Sequence, residues 1–169
     1  VNGALMYHRQ IKIQDFIFAR FMIEFLGHLM AYIFIMAFLI AFDLFPMPHD
    51  FGLLMIGWFY YSFFTLSLCF VLAPMSEMSE VLEKFMPVAT YLMIPFSGTF
   101  NLVSWLTPTA RSIMFYSPPV HAMEMMRYGI FGNAVKPYYD YSFPLVVCMA
   151  LTLIGLILCR KVRRTLVVE

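Results

Sequence analysis

Charged residues are scarce in this chain. Only 12% of its 169 residues are charged and 62% are hydrophobic, whereas soluble domains carry about 25% charged residues. No Asp, Glu, Lys or Arg occurs in four stretches, residues 25–42, 51–73, 85–106 and 141–159. A helix of about 20 apolar residues crosses a bilayer core about 30 Å thick. We therefore predict an all-α, polytopic membrane protein with four crossings, and the composition argues against a soluble fold.

Motifs for catalysis and metal binding are also lacking. The sequence has no glycine-rich phosphate loop, no Cys or His pair at metal-ligand spacing and no G-x-S-x-G nucleophile motif. We therefore expect no catalytic, cofactor-binding or metal-ligating residue, no cofactor and no intrinsic ATPase. The net charge of +1 leaves no basic stripe for nucleic acid. Three cysteines lie in apolar runs: Cys69, Cys148 and Cys159. We interpret them as small buried hydrophobic residues.

Acidic groups are missing from the interiors of the predicted crossings. Carriers driven by protons or sodium ions need ionisable groups within the membrane, and these crossings offer little beyond His28. If the protein transports a substrate, its energy comes from another chain or from a segment outside this sequence. Since the sequence opens on Val1 and not on Met, we expect it to be the C-terminal part of a longer protein.

Most of the positively charged residues lie near the two ends of the chain. The loop 43–50, between the first two crossings, carries no Lys or Arg. By the positive-inside rule we predict that both termini are cytoplasmic and that this loop is external. The positive residues that support this orientation are Arg9, Lys12 and Arg20 before the first crossing, and Arg160, Lys161, Arg163 and Arg164 after the last.

The longest segment between crossings, residues 107–140, is too apolar for an ordinary external loop. Pro118 and Pro119 follow Ser117, and Gly132 follows an apolar run; Pro favours a helix start and Gly a helix end. We predict two short re-entrant helices here, over residues 113–116 and 120–131. Pro87 and Pro95 predict kinks in the third crossing.

A short cytoplasmic elbow helix is predicted between the second and third crossings, with Ser76 as its N-cap. Two interpretations are equally open: the elbow lies on the inner membrane surface or a partner, or it is a solvated connector. Its apolar face is formed at helical spacing by Met78, Val81, Leu82 and Phe85.

Arg20, Glu24 and His28 recur every four residues along the first crossing. The favoured interpretation is an interfacial Arg20–Glu24 pair, in which the arginine reaches toward the headgroups. The alternative is a polar strip that lines a conduit.

His121, Glu124 and Arg127 share a face of the second short helix, and Tyr128 lies one turn beyond Glu124. A structural network that ties the helix to its neighbours and a gate that contacts sugar are equally open. The aromatic run 58–64 predicts either an interfacial belt or rings that stack on the apolar faces of sugars.

Several longer runs resemble the permease subunits of ABC exporters for capsular polysaccharide and related glycans of Gram-negative bacteria. The resemblance extends over almost the entire chain. It rests on Leu5-Met6-Tyr7-His8-Arg9-Gln10-Ile11, on Pro95-Phe96-Ser97-Gly98-Thr99-Phe100, on Val120-His121-Ala122-Met123-Glu124-Met125-Met126-Arg127-Tyr128-Gly129-Ile130-Phe131-Gly132 and on Pro137-Tyr138-Tyr139-Asp140.

This resemblance implies six crossings per subunit, a second permease copy and two cytoplasmic ATP-binding subunits. The chain, residues 1–169, would then be one partial permease domain that lacks the N-terminal interface helix and the first two crossings. Residues 7–12 would belong to a cytoplasmic gate region, and residues 105–132 to outer gate helices. The expected gate or pathway residues are Tyr7, His8, Arg9, Arg20, Glu24, Trp105, His121, Glu124, Arg127 and Tyr128.

The function predicted from the sequence is a permease subunit of the bacterial inner membrane that conducts a lipid-linked polysaccharide outward, surrounded by membrane lipid. It would supply the pathway and not the chemistry. Two alternatives remain open. One is a membrane glycan-modifying transferase in which His121 and Glu124 act as acid and base; the other is a membrane scaffold that does not transport.

Overall fold

The computed structural model describes residues 13–166, and for Glu80 and residues 163–166 it describes the backbone only. This part of the chain is built from six α-helices and contains no β-strand, so the prediction of an all-α helix bundle is confirmed. The helices are α1 Ile13–Ala41, α2 Phe51–Met78, α3 Glu80–Met93, α4 Pro108–Met114, α5 Pro118–Phe131 and α6 Ser142–Leu166. Short 3₁₀ turns form at Pro95–Ser97, Val103–Trp105 and Gly132–Ala134.

Three of the helices are long and apolar enough to cross a membrane: Ile13–Ala41, Phe51–Met78 and Ser142–Val162. α1 and α2 run antiparallel, since Ile17 packs near Phe70 while Tyr32 stacks on Trp58. Asp50 caps α2, and its carboxylate accepts the Leu53 N–H at 3.1 Å.

α6 runs parallel to α2 and packs closely against it. The hydroxyls of Ser67 and Thr152 are 2.9 Å apart, and Cys159 packs with Phe70. The start of α1, at Ile13, packs against the same cluster as Cys159. The two ends of the described chain therefore lie at the same end of the bundle. We call it the basic end because Arg160 and Lys161 follow Cys159, and we call the opposite end the distal end.

The prediction of a single crossing helix over residues 85–106 is wrong. α3 has only 14 residues, or about 21 Å at 1.5 Å per residue. It contains Pro87 and ends at Met93, two residues before Pro95. Pro95 has no backbone N–H and cannot donate to the Tyr91 carbonyl to continue the helix, and the chain turns into the Pro95–Ser97 3₁₀ turn. Within the described residues the candidate spanning helices therefore number three.

The chain nevertheless returns toward the distal end between Glu80 and Gly98. The Phe96 carbonyl accepts the Ser117 hydroxyl at 2.7 Å, and Gly98 packs against Val120. Both partners belong to the region of α5, which packs on the distal half of α2. A short helix and a 3₁₀ turn thus replace the continuous third crossing.

The two short helices predicted in residues 107–140 are present as α4 and α5. α4 begins at Pro108, earlier than predicted, and Thr107 caps it by accepting the Ala110 N–H at 3.4 Å. α5 begins at Pro118, as predicted from the paired prolines, and ends before Gly132. Gly132 has φ = 54°, and a Cβ there would lie 2.7 Å from the His49 ring.

The predicted N-cap at Ser76 is wrong. Ser76 lies inside α2, where its hydroxyl donates to the Ala73 carbonyl at 2.8 Å. The helices separate instead at Ser79, whose extended backbone ends α2 and begins α3. The predicted elbow is thus the first turns of α3, and Val81 and Phe85 are exposed there.

Candidate functional site

A buried polar cluster lies where α5 faces the irregular segment between α3 and α4. His121 and Glu124 are fully buried, although both are polar. Glu124 Oε1 accepts Arg127 Nη1–H at 3.1 Å and the Val103 N–H at 3.3 Å. Burial raises the pKa of the Glu124 carboxyl above its ordinary value, and the bonds from Val103 and Arg127 oppose that shift. The spacing of these residues correctly placed them on one face.

Arg127 holds the backbone of the irregular segment. Its guanidinium donates to the carbonyl oxygens of Gly98 at 2.6 Å, Thr99 at 2.7 Å and Asn101 at 3.0 Å. Backbone outside regular structure leaves its polar groups without local partners, and at membrane depth protein groups must satisfy them. The cluster therefore has the geometry of a structural network.

Arg111 on α4 does the same for the next part of that segment, and sequence reasoning missed it. Its guanidinium donates to the carbonyls of Val103 at 3.2 Å, Ser104 at 3.3 Å and Leu106 at 3.2 Å. It also donates to Tyr138 Oη at 3.4 Å. The missed signal was the irregular segment itself, because backbone outside helices and strands needs hydrogen-bond donors for its carbonyls and arginine carries five.

His121 uses both ring nitrogens. Nδ1 accepts the Asp140 N–H at 2.9 Å, so the proton is on Nε2, which donates to the Phe115 carbonyl at 2.9 Å. Burial lowers the pKa of His121, although the Phe115 carbonyl and Asp140 oppose this. The ring is thus neutral and ties the 135–141 loop to α5. A histidine with both nitrogens engaged is not a free acid or base for catalysis.

α5 is also fixed to α2 by close backbone packing. A Cβ at Gly57 would lie 2.8 Å from the Ala122 carbonyl oxygen, and one at Gly129 would lie 2.7 Å from the Leu54 nitrogen. The Asp50 N–H donates to the Gly129 carbonyl at 2.8 Å. These contacts make α2 and α5 one packed unit.

A groove runs along the other side of α2, between it and α1. α1 is loosely packed, and Ile17 is its one buried residue in the described chain. Toward the basic end the groove is about 700 Å³ in volume and α3 closes it; toward the distal end it is about 540 Å³ and α5 closes it. The two parts adjoin, because Phe21, Glu24 and Thr65 line both.

The line of polar residues on α1 faces this groove. Arg20 lines its basic part, His28 its distal part and Glu24 both. Arg20 Nη2 and Glu24 Oε1 form the expected ion pair at 2.6 Å. His28 Nδ1 lies 2.6 Å from the Glu24 carbonyl oxygen. The Arg20–Glu24 pair is exposed and also lines the groove. This position is compatible both with an interfacial ion pair and with a polar strip that lines a conduit.

The aromatic residues of the run 58–64 on α2 lie in different environments. Trp58 and Tyr61, one helical turn apart, line the groove. Phe64 is buried, whereas Phe59 is exposed and contacts Phe25. Two rings of the run therefore line the groove, and one of them, Trp58, already packs against Tyr32.

The remaining predicted site residues do not join one cluster. Trp105 is 80% exposed. Tyr128 lies outside the Glu124 network; its hydroxyl donates to Asn133 Oδ1 at 3.4 Å. Tyr7, His8 and Arg9 lie outside the described residues.

The architecture defines a helical integral membrane protein with an interhelical groove, and comparison with known proteins shows which proteins it resembles. The chain is 33% identical over 160 residues to a capsule polysaccharide export inner-membrane protein, BexB, of Haemophilus influenzae. It is 34% identical over 160 residues to CtrC of Neisseria meningitidis serogroup B, which carries the same description. Each alignment covers 95% of this chain and 60% of the relative. Over this part, the chain is similar to capsule polysaccharide export inner-membrane proteins, and it spans 60% of their length. No family model and no solved structure matches it significantly.

Proposed function

We propose that this chain forms part of the pathway by which an ATP-driven exporter moves capsular or other cell-surface polysaccharide outward across the bacterial inner membrane. The groove along α1 carries the proposal, because its two adjoining parts combine polar groups with aromatic rings. The description of the relatives as capsule polysaccharide export proteins supports the substrate class.

The chemistry of the groove suits a sugar chain. Trp58 and Tyr61 offer flat faces for the apolar C–H face of a pyranose ring. Arg20 and Glu24, on the opposite wall, offer exchangeable hydrogen bonds to hydroxyl groups. A pathway must bind weakly enough to release each unit, and an accessible ion pair meets this need because water competes for the same groups.

The partners of this proposal are a cytoplasmic ATP-binding subunit, a second copy of the chain, a lipid-linked polysaccharide and the surrounding lipid. ATP hydrolysis is assigned to the separate subunit, because the sequence carries no phosphate-binding loop. Both termini would be cytoplasmic, which agrees with Ile13 and Cys159 packing at one end of the bundle and with the basic residues that follow Cys159. The α4–α5 region would form the outer end of the pathway.

The two alternatives fit the geometry less well. A transferase needs an accessible acid and base, whereas His121 has both nitrogens engaged and Glu124 is fully buried. A passive scaffold gives no reason for a polar and aromatic groove. Turnover of an activated sugar donor by the purified protein without an ATPase would favour the transferase.

Photo-crosslinking tests the pathway. p-Benzoylphenylalanine replaces Tyr61 in the groove, or Phe34, which is 73% exposed on α1 and lines neither part of the groove. In cells that synthesise radiolabelled polysaccharide, we expect a polysaccharide adduct at position 61 and none at 34. Equal labelling at both positions, or none at 61, would exclude the groove as the pathway.

The energy source has its own test. Blocking ATP hydrolysis in the partner should abolish surface polysaccharide and leave polymer inside the cell. Export that survived this block and stopped with an uncoupler would instead indicate a proton-driven carrier.

A further inference from the structure

Two positive side chains lie near one aromatic ring in the segment that follows α5. The Arg111 guanidinium carbon lies 4.6 Å from the centre of the Tyr138 ring, and Lys136 Nζ lies 5.5 Å from it. The two charges are therefore within about 10 Å of each other, about one Debye length at 0.1 M salt. Charges of like sign at this distance repel, and a bound anion would offset that repulsion.

No carboxylate neutralises these two cations in the part of the chain that the structure describes. The ion pairs there join Glu24 to Arg20 and His28, and Glu124 to Arg127. Between positions 84 and 142 the sequence has two acidic residues, Glu124 and Asp140. Glu124 is buried against Arg127, and Asp140 Oδ1 accepts the Ser142 N–H at 2.8 Å. Arg111 and Lys136 thus form a local excess of positive charge.

Arg111 and Lys136 differ in how many hydrogen bonds hold their charged groups. Arg111 is held by three backbone carbonyls and by Tyr138 Oη, so its charge is fixed in place. Lys136 is exposed, and its ammonium group has no hydrogen-bond acceptor among the described residues. A fixed guanidinium beside an exposed ammonium suits a ligand that carries a negative charge and moves past.

Aromatic surface accompanies the charge. Both cations lie near the Tyr138 ring, and the 80% exposed Trp105 lies between Ser104 and Leu106, whose carbonyls Arg111 holds. Aromatic faces pack on the C–H faces of sugars, and a lipid phosphate has no such face. The combination therefore favours an acidic saccharide over an anionic lipid headgroup.

We propose that Lys136 and Arg111, with Tyr138, form a binding site for the carboxylate groups of an acidic saccharide at the distal end of the molecule. This inference rests on the proposed function and deepens it: the exported polymer would be anionic, and the site would contact it near the outer end of the pathway.

Binding by the purified full-length protein tests this site. The protein is placed in phosphatidylcholine nanodiscs, in a background where Trp105 is the only tryptophan, and Trp105 fluorescence is titrated with trigalacturonate or with neutral maltotriose. We expect saturable binding of trigalacturonate that weakens with salt, and no binding of maltotriose. Lys136→Gln should weaken binding about twofold to fivefold, which lies within the range for an exposed ion pair. Lys136→Glu should weaken it further, and Lys136→Arg should retain it.

The matched control is Lys84→Gln, an exposed lysine on α3 toward the basic end. It should leave the dissociation constant unchanged. An equal effect of Lys84→Gln, unchanged binding in Lys136→Gln, or equal affinity for maltotriose would overturn the proposal. Loss of trigalacturonate binding when phosphatidylglycerol is added would assign the site to lipid and also overturn it. Failure of this binding test would not contradict the proposed export function, because the photo-crosslinking experiment tests export independently in cells.

Discussion

Glu124 and Arg127 lie one turn apart on α5 and meet at 3.1 Å, and each also holds the irregular segment beside them. Glu124 accepts the Val103 N–H, while Arg127 donates to the carbonyls of Gly98 and Thr99. The two residues of this ion pair therefore also hold the irregular segment between α3 and α4 through hydrogen bonds to its backbone.

The first prediction concerns the fully buried Glu124. Glu124→Ala removes the acceptor for both Val103 and Arg127, and a buried group left without its partner costs about 1 to 3 kcal/mol or more. We expect the variant's abundance in the membrane to fall, and surface polysaccharide to fall in proportion. Export per folded molecule, measured by quantifying both, should stay unchanged. A lower ratio at normal abundance would instead support a gate that acts through Glu124.

Glu124 also predicts a pH dependence. Since its folded-state pKa is raised, the folded state binds the proton more tightly than the unfolded state. Its contribution to stability should therefore decrease as pH rises from the ordinary carboxyl value of 4.5 toward the raised folded-state value. Glu124→Gln, which cannot ionise, should flatten this decrease in thermal unfolding of the purified protein. An unchanged pH profile in the variant would assign the dependence to other groups.

The second arginine tests the role of the irregular segment more directly. Arg111→Gln removes bonds to three carbonyls, each worth about 0.5 to 1.5 kcal/mol. We expect a loss of about 2 to 4 kcal/mol in the free energy of unfolding. Thr109→Ala, an exposed position on the same helix, serves as the control and should change stability little. Equal stability of the two variants would exclude the proposed role of Arg111.

The sequence predicted the three long helices and the pair of short ones, because uncharged runs and proline–glycine punctuation are local signals. It did not predict the break of the third crossing at Pro95. There the chain turns toward α5, and backbone carbonyls of the segment accept hydrogen bonds from Ser117 and Arg127. The His121, Glu124 and Arg127 face was predictable from helical spacing, but Arg111 was not. Its partners belong to residues 103–106, and which carbonyls lack partners depends on the tertiary fold.

The close packing of α5 on α2 gives a further prediction. A Cβ at Gly57 would lie 2.7 Å from Met126 Cγ and 2.8 Å from the Ala122 carbonyl oxygen, and such overpacking costs about 1 to 3 kcal/mol. Gly57→Ala should lower the unfolding temperature. Gly27→Ala on α1 is the matched control: nothing lies within 4 Å of its Cβ position, so it should stabilise the helix by about 0.5 to 1 kcal/mol. Similar effects of the two changes would contradict a tight α2–α5 contact.

The orientation of the bundle is testable by cysteine labelling. Cysteines at Met47 and Lys136, in exposed segments toward the distal end, should react in intact cells with an impermeant thiol reagent. Cysteines at Lys84 and Arg160 should not, because the basic residues favour a cytoplasmic location. The natural thiols provide the background control, since Cys148 and Cys159 are buried and Cys69 is half-buried. Labelling at positions 84 and 160 would reverse the orientation.

The last prediction tests the groove without touching a charge. Thr65 lines both of its parts, so Thr65→Trp should fill the point where they join and stop export at normal protein abundance. The change removes only one intrahelical hydrogen bond, from the Thr65 hydroxyl to the Tyr61 carbonyl, so the fold should persist. Ile56→Trp is the control, because Ile56 is an exposed residue of the same helix and lines neither part of the groove. Surface polysaccharide would be measured per folded molecule for both variants. Normal export in Thr65→Trp, or equal loss in Ile56→Trp, would place the polymer elsewhere.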